Sequence, residues 1–168
     1  MDIQEIRKIY RQTEQRSLIV ILLALPVFGV IYLFYDSGNQ LENLPGISDF
    51  LVWVMSLTCI AVLIIQYVLF GKKIKLTFEK DELVDKLKIY SQATTQRYLL
   101  LLLGSMISSV GLLLSKNPVF TLFFAIVLVF FSLAKPTPDR MARLMKLKKE
   151  EKELIRTASR PEQPESDK

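Results

Sequence analysis

Four stretches of the chain carry no charged side chain: Ser17–Tyr35, Phe50–Phe70, Tyr98–Leu114 and Pro118–Ala134. Runs of about twenty apolar residues match a hydrocarbon core roughly 30 Å thick, at about 1.5 Å of rise per residue. A soluble bundle would place a charge every turn or two on the face that meets water. These segments are apolar all round, so they predict helices that face lipid as well as each other. Nothing alternates as barrel strands would, and backbone groups in lipid must be satisfied within the segment.

The polar lead-ins repeat. Lys8–Ala24 reads KIYRQTEQRSLIVILLA, and Lys88–Gly111 reads KIYSQATTQRYLLLLLGSMISSVG. Both run KIYxQ, then QR, then leucine-rich sequence, with one extra residue in the second copy. The predicted fold is all-α and polytopic: four transmembrane helices as two tandem hairpins, each with an amphipathic cytoplasmic lead-in helix. The predicted units are residues 1–70, residues 71–134, a charged cytoplasmic helix over 135–156 and a disordered tail over 157–168.

Along the first unit, Ile3, Ile6 and Tyr10 fall on one helical face, with Arg7, Lys8 and Arg11 elsewhere. That pattern fits equally a surface-lying helix or an extension of the first span, with Arg16 snorkelling toward phosphates. Pro26 predicts a kink near Leu22–Pro26. Tyr32 and Tyr35 suit an outer aromatic belt. Asp36-Ser-Gly-Asn stops the helix, Pro45-Gly46 marks a turn, and Ser48 or Asp49 caps the second span. That span has Trp53 near one interface and Tyr67 near the other. Gln66, one turn from its cytoplasmic end, is an amide that seeks an interhelical partner.

In the second unit, Lys72, Lys73 and Lys75 form a basic collar suited to anionic lipid headgroups. From about Glu79 the pattern becomes helical, with Leu83, Leu87 and Tyr90 on one face, and no Gly or Pro intervenes before Gly104. Gly104, Ser108 and Gly111 then form a small-residue strip, widened by Ser105 and Ser109, that permits close helix packing. Ser115-Lys-Asn117 is a turn, with Asn117 as N-cap and Pro118 at N1. After Lys135-Pro136, Thr137 caps a helix with Pro138 and Asp139 in its first turn. That helix is expected to reach about Arg156, with Met141, Leu144 and Met145 facing the membrane or the second lead-in.

Charge placement orients the whole. Of 22 Lys and Arg residues, 21 lie in the first sixteen residues, in Gly71–Arg97 or after Ala134, and only Lys116 lies in an outer turn. By the positive-inside rule both termini and the middle connection are cytoplasmic. The net charge of +5 is therefore a topology signal and not a nucleic-acid footprint. The first apolar run is too long for a signal-peptide core and reads as a retained anchor.

Candidate chemistry changes this picture little. Cys59 is the one cysteine and His is absent, so a single chain has no disulfide, no zinc site and no Cys–His nucleophile. Ser105, Ser108 and Ser109 have no base in any span, and Asp81, Glu82 and Asp85 interleave with lysines as a solvated face. No enzyme and no cofactor are expected. Ion carriage by a rotor-like double hairpin would need a carboxylate within the membrane, and none exists.

The segments SLAKPTPDRMARLMKLKKEEKELI and YSQATTQRYLLLLLGS resemble the small, four-helix, uncharacterised membrane proteins of Bacteroidota. That family joins a Tyr-x-x-Ala…Arg-Tyr-x-Leu-Leu lead-in to its third span and an Arg-Pro-Thr exit to its fourth. The matching positions are Tyr90, Ala93, Arg97, Tyr98, Leu99 and Leu100, then Lys135, Pro136 and Thr137. Lys135 replaces the arginine, and Leu103 stands where the family has an acidic residue. The resemblance spans about residues 84–155 and implies a bacterial inner membrane, with no activity attached. Function then reads as a non-catalytic scaffold or accessory subunit with lipid and protein partners. The alternative is a small transporter or channel made by homo-oligomerisation around the Gly104–Gly111 strip.

Overall fold

The structure is a computed structural model that describes residues 3–37 and 47–160. It is all-α. Four longer helices come first: α1 (Ile3–Asp36), α2 (Asp49–Lys75), α3 (Leu83–Ser115) and α4 (Val119–Ala134). Two short ones follow, α5 (Pro138–Leu144) and α6 (Lys149–Ser159), and a 3-10 turn, Leu76–Glu79, extends the end of α2.

Among the described residues, α1, α2 and α3 are long and apolar enough to cross a membrane. At 16 residues α4 reaches that length only together with α5, and the chain bends by 85° between them. The bend has a local cause. Lys135 leaves the helix in an extended conformation, Pro136 follows, and the Thr137 hydroxyl accepts a hydrogen bond from the Arg140 amide to start α5.

The centre of the bundle is α3. In its apolar window 44% of residues are buried, against 17% in those of α1 and α2. Both α1 and α2 make their main contact with α3. Helices α1 and α3 run in the same direction: Lys88 pairs with Glu5 at 3.0 Å, and the Thr13 hydroxyl donates to Ser91 at 2.7 Å. Further along, Ala24 packs with Tyr98 and Leu101, and Phe28 packs with Leu112. The two copies of the repeat thus lie side by side, and their matching tyrosines, Tyr10 and Tyr90, share one core. Against α3, α2 and α4 run oppositely: Gln66 meets Arg97 while Cys59 meets Ser108, and Phe120 meets Gly111 while Phe131 meets Tyr98. Stacked Phe28 and Phe124 rings, 3.6 Å apart, tie α1 to α4.

A second core lies beyond the apolar helices. Ile6, Tyr10, Phe70, Ile74, Leu83, Leu87, Tyr90, Met141, Met145, Ile155 and Ala158 are buried together. The N-terminal halves of α1 and α3, the end of α2, and α5 and α6 therefore form a packed helical cap. Lys86 pairs with Glu151 at 3.1 Å across it, with both side chains largely shielded.

Several boundaries differ from the sequence reading. Of the two readings of the first lead-in, the extension of the span is the one seen, since α1 is one helix that continues through Pro26. Helix α2 continues past Phe70 to Lys75, and α3 begins at Leu83 rather than near Glu79. The single helix expected over Thr137–Arg156 is two. Lys146 adopts a left-handed φ of 51°, and the Leu147 amide bonds back to the Ala142 carbonyl at 3.0 Å. This six-to-one closure ends α5, and a Glu151 carboxylate oxygen accepting from the Lys148 amide at 2.8 Å starts α6. Residues 157–159, assigned to a disordered tail, are the last turn of α6, with Ala158 buried. The Pro45-Gly46 turn and residues 161–168 lie outside the described residues.

Candidate functional site

The outward faces of α1 and α2 are apolar: Leu18, Ile19, Leu22 and Leu33 on one, Phe50, Trp53, Leu57 and Tyr67 on the other, are exposed. Soluble monomers rarely present so large a contiguous apolar surface, whereas a lipid-facing bundle must. Most polar residues of the apolar helices turn inward, with Thr58 and Ser132 exposed, and the inward ones define what the bundle can do.

The small-residue strip lies inside the chain. Gly104 faces both neighbours: a Cβ there would sit 3.5 Å from Val127 on α4 and 3.6 Å from Val62 on α2. Ser108 returns its hydroxyl to the Gly104 carbonyl at 2.9 Å and lies 3.7 Å from Cys59 Sγ. Gly111 is the closest approach, where a Cβ would lie 2.5 Å from Phe120 ring carbons. Ser105 and Ser109 bond to carbonyls of their own helix, which satisfies them without a partner helix. All five residues are buried, and the strip is covered by α2 and α4.

The lysine collar occupies the last turn of α2, where cations favour the exposed carbonyl end of a helix. Lys72 and Lys75 are exposed and Lys73 is half-buried. The following 3-10 turn presents Leu76 and Phe78, both about half exposed, and Lys146 sits over the Phe78 ring at 4.9 Å. The collar therefore combines lysines with apolar side chains at one level of the molecule, a pairing suited to a headgroup region.

Between collar and strip lies a feature that the sequence reading located only in part. Arg97 does not snorkel outward; it is 5% exposed. Its Nε donates to Gln66 Oε1 at 2.8 Å, and its guanidinium carbon lies 4.8 Å from the centre of the Phe70 ring. Gln66 is fully buried, so the partner that this amide seeks is Arg97. Tyr90 and Tyr98 are buried alongside, and the Tyr98 hydroxyl donates to the Phe131 carbonyl at 3.3 Å. Among the described residues no carboxylate pairs with Arg97. The signal was present in the sequence: Gln66 and Arg97 stand at the same boundary of adjacent spans.

Magnitudes show how finely this arginine is balanced. A hydrogen bond to a charged group contributes about 1.5–3 kcal/mol, and a desolvated cation–π contact about 2 kcal/mol. Against them stands a desolvation penalty of several kcal/mol for a buried ion. The terms nearly cancel, so the arginine is not explained as a stabiliser.

In the cap, burial pushes the Tyr10 phenol up to about 12, helped by the nearby negative charge of Glu14. Burial also raises Tyr90, opposed by the neighbouring Thr94 side chain and by the positive charges of Arg140 and Arg97. Both phenols therefore stay neutral at physiological pH. Among the described residues no three His, Cys, Asp or Glu side chains come together as a metal site. Comparison with known protein families, with curated proteins and with solved structures finds no match.

Proposed function

We propose that the chain is an integral protein of a bacterial inner membrane, acting as a non-catalytic scaffold or accessory subunit. In this reading α1 to α4 cross the bilayer as two tandem hairpins, with both termini and the helical cap in the cytoplasm. The seventeen residues from Pro118 to Ala134 span about 25 Å at the usual helical rise. A short fourth crossing is accommodated by local thinning and by snorkelling of Lys116 and Lys135 at its ends. The cap and the lysine collar then meet the cytoplasmic leaflet, where anionic lipid attracts each lysine by about 1 kcal/mol.

The observation that carries the reading is the cap itself. Buried apolar side chains from α1, α2, α3, α5 and α6 make it a continuation of the membrane bundle rather than a loose tail. Such a rigid cytoplasmic platform suits docking of a protein partner. A small transporter or channel formed by oligomerisation is the alternative, although the Gly104–Gly111 strip is already occupied by α2 and α4 within one chain.

Chemical crosslinking in intact membranes, followed by mild-detergent purification and mass identification, tests the reading. It predicts a defined different protein at fixed stoichiometry. Recovery of a homo-oligomer alone would favour the channel, and flux through reconstituted vesicles would then be measured. For the collar, the Lys72→Gln, Lys73→Gln, Lys75→Gln triple variant is expected to bind anionic vesicles more weakly than the parent chain. Unchanged binding would leave the lysines as a topology signal only.

A further inference from the structure

Beside Arg97 one buried donor is unmatched. Because Arg97 Nε needs an acceptor, the Gln66 amide is fixed with Oε1 toward the guanidinium and Nε2 away from it. That Nε2 is buried and has no acceptor. The terminal nitrogens of Arg97 have no carboxylate among the described residues, and the Phe70 ring covers one face of the guanidinium. The Tyr98 hydroxyl is already committed to the Phe131 carbonyl. What meets here is the Arg97 guanidinium and the unpaired Gln66 amide donor, with the Thr94 hydroxyl, one turn earlier on α3, also unpartnered.

A second arginine adds to the set. Arg140, half-buried at the start of α5, adjoins Met141, which is buried in one core with Phe70 and Tyr90, and this brings its charge toward Arg97. Its neighbour Asp139 is engaged with Lys152 at 3.1 Å, and Arg140 itself has no ion pair among the described residues. Two arginines near one another, one of them almost wholly buried, repel, and an anion between them removes that repulsion. Buried donors in native proteins are almost always satisfied. Water can accept their hydrogen bonds but cannot offset the charge.

We propose that Arg97, Gln66 and Arg140 hold one phosphate-bearing anion at the boundary between the apolar helices and the cap. Guanidinium groups match phosphate oxygens with paired, charge-assisted hydrogen bonds, and the free amide of Gln66 supplies a further donor. The level is right for a lipid headgroup: Phe70, beneath the guanidinium, precedes Lys72 by two residues, about 3 Å of helical rise. A soluble phosphate entering from the cap side has the same chemistry. The proposal rests on the membrane reading above but is independent of the lysine collar.

The test uses the full chain in nanodiscs of phosphatidylcholine alone or mixed with phosphatidylglycerol. Thermal unfolding and native mass spectrometry of retained lipid are the readouts, and inorganic phosphate is titrated into the phosphatidylcholine samples. The parent chain is expected to gain a higher Tm with phosphatidylglycerol, with phosphate, or with both. A gain with phosphatidylglycerol only identifies a headgroup; a gain with phosphate in neutral lipid identifies a soluble anion. Arg97→Gln is expected to lose the gain, and Arg140→Gln, at a half-exposed position, to lose it without a packing change in the bundle. The triple lysine variant is expected to keep it. The proposal is overturned if neither ligand raises Tm, in which case water fills the site. It is equally overturned if both arginine variants keep the full gain while the triple lysine variant loses it, which would leave the collar reading standing.

Discussion

At the scale of single residues, two glycines of one strip carry different burdens. At Gly104 an added methyl meets Val127 and Val62 at ordinary contact distance, whereas at Gly111 it overlaps the Phe120 ring. Gly111→Ala is therefore expected to lower stability by about 1–3 kcal/mol, the usual cost of overpacking. Gly104→Ala is expected to be close to neutral, because contact is gained and alanine favours the helix. Thermal unfolding in one detergent compares them, and equal losses would mean that the strip tolerates no discrimination of this kind. Gln66 supplies a second test. Gln66→Leu leaves a buried cation with one donor unmet, a loss of about 1.5–3 kcal/mol. In the Gln66→Leu, Arg97→Leu double variant the charge is gone, so much of that loss is recovered. Additive losses in the cycle would show that Gln66 and Arg97 act separately. Sequence alone gives Gln66 an interhelical partner and places Arg97 only at the polar boundary of the third span. An arginine before a span normally snorkels, and only the packing of α2 against α3 turns this one inward.

At the scale of elements, the apolar runs and polar lead-ins were legible because composition decides them. The charge-free runs at 17–35, 50–70 and 98–114 lie within α1, α2 and α3, and the run at 118–134 corresponds to α4. Where helices end was less legible. The break between α5 and α6 contains neither Gly nor Pro, and a left-handed Lys146 does what glycine usually does. The resulting reversal lets α6 fold back on α1, so that Ile155 and Ala158, just beyond the exposed charges of residues 148–150, are buried in the cap core. Ile155→Ala is expected to cost about 2–5 kcal/mol locally, in the range for emptied buried sites. Hydrogen exchange should then rise in α6 and around Lys86 while the centre of α3 stays protected. Unchanged exchange in α6 would mean that it is held by something other than this core.

At the scale of the molecule, the repeat was visible in the sequence but its consequence was not. The two copies do not merely recur; they pack against each other in the same direction, through Tyr10 with Tyr90 and Glu5 with Lys88. This places α3 at the centre and brings both lead-ins to one end, where α5 and α6 complete the cap. The central claim is that this cap and the middle connection lie on one side of a membrane and the α3–α4 turn on the other. It is tested by cysteine labelling in spheroplasts with a membrane-impermeant maleimide, in a Cys59→Ala background. Lys116→Cys, in that turn, is predicted to react in intact spheroplasts. Glu82→Cys and Arg160→Cys are predicted to react only after the membrane is opened. Labelling of Glu82→Cys or Arg160→Cys in intact spheroplasts, or protection of Lys116→Cys there, would contradict the account.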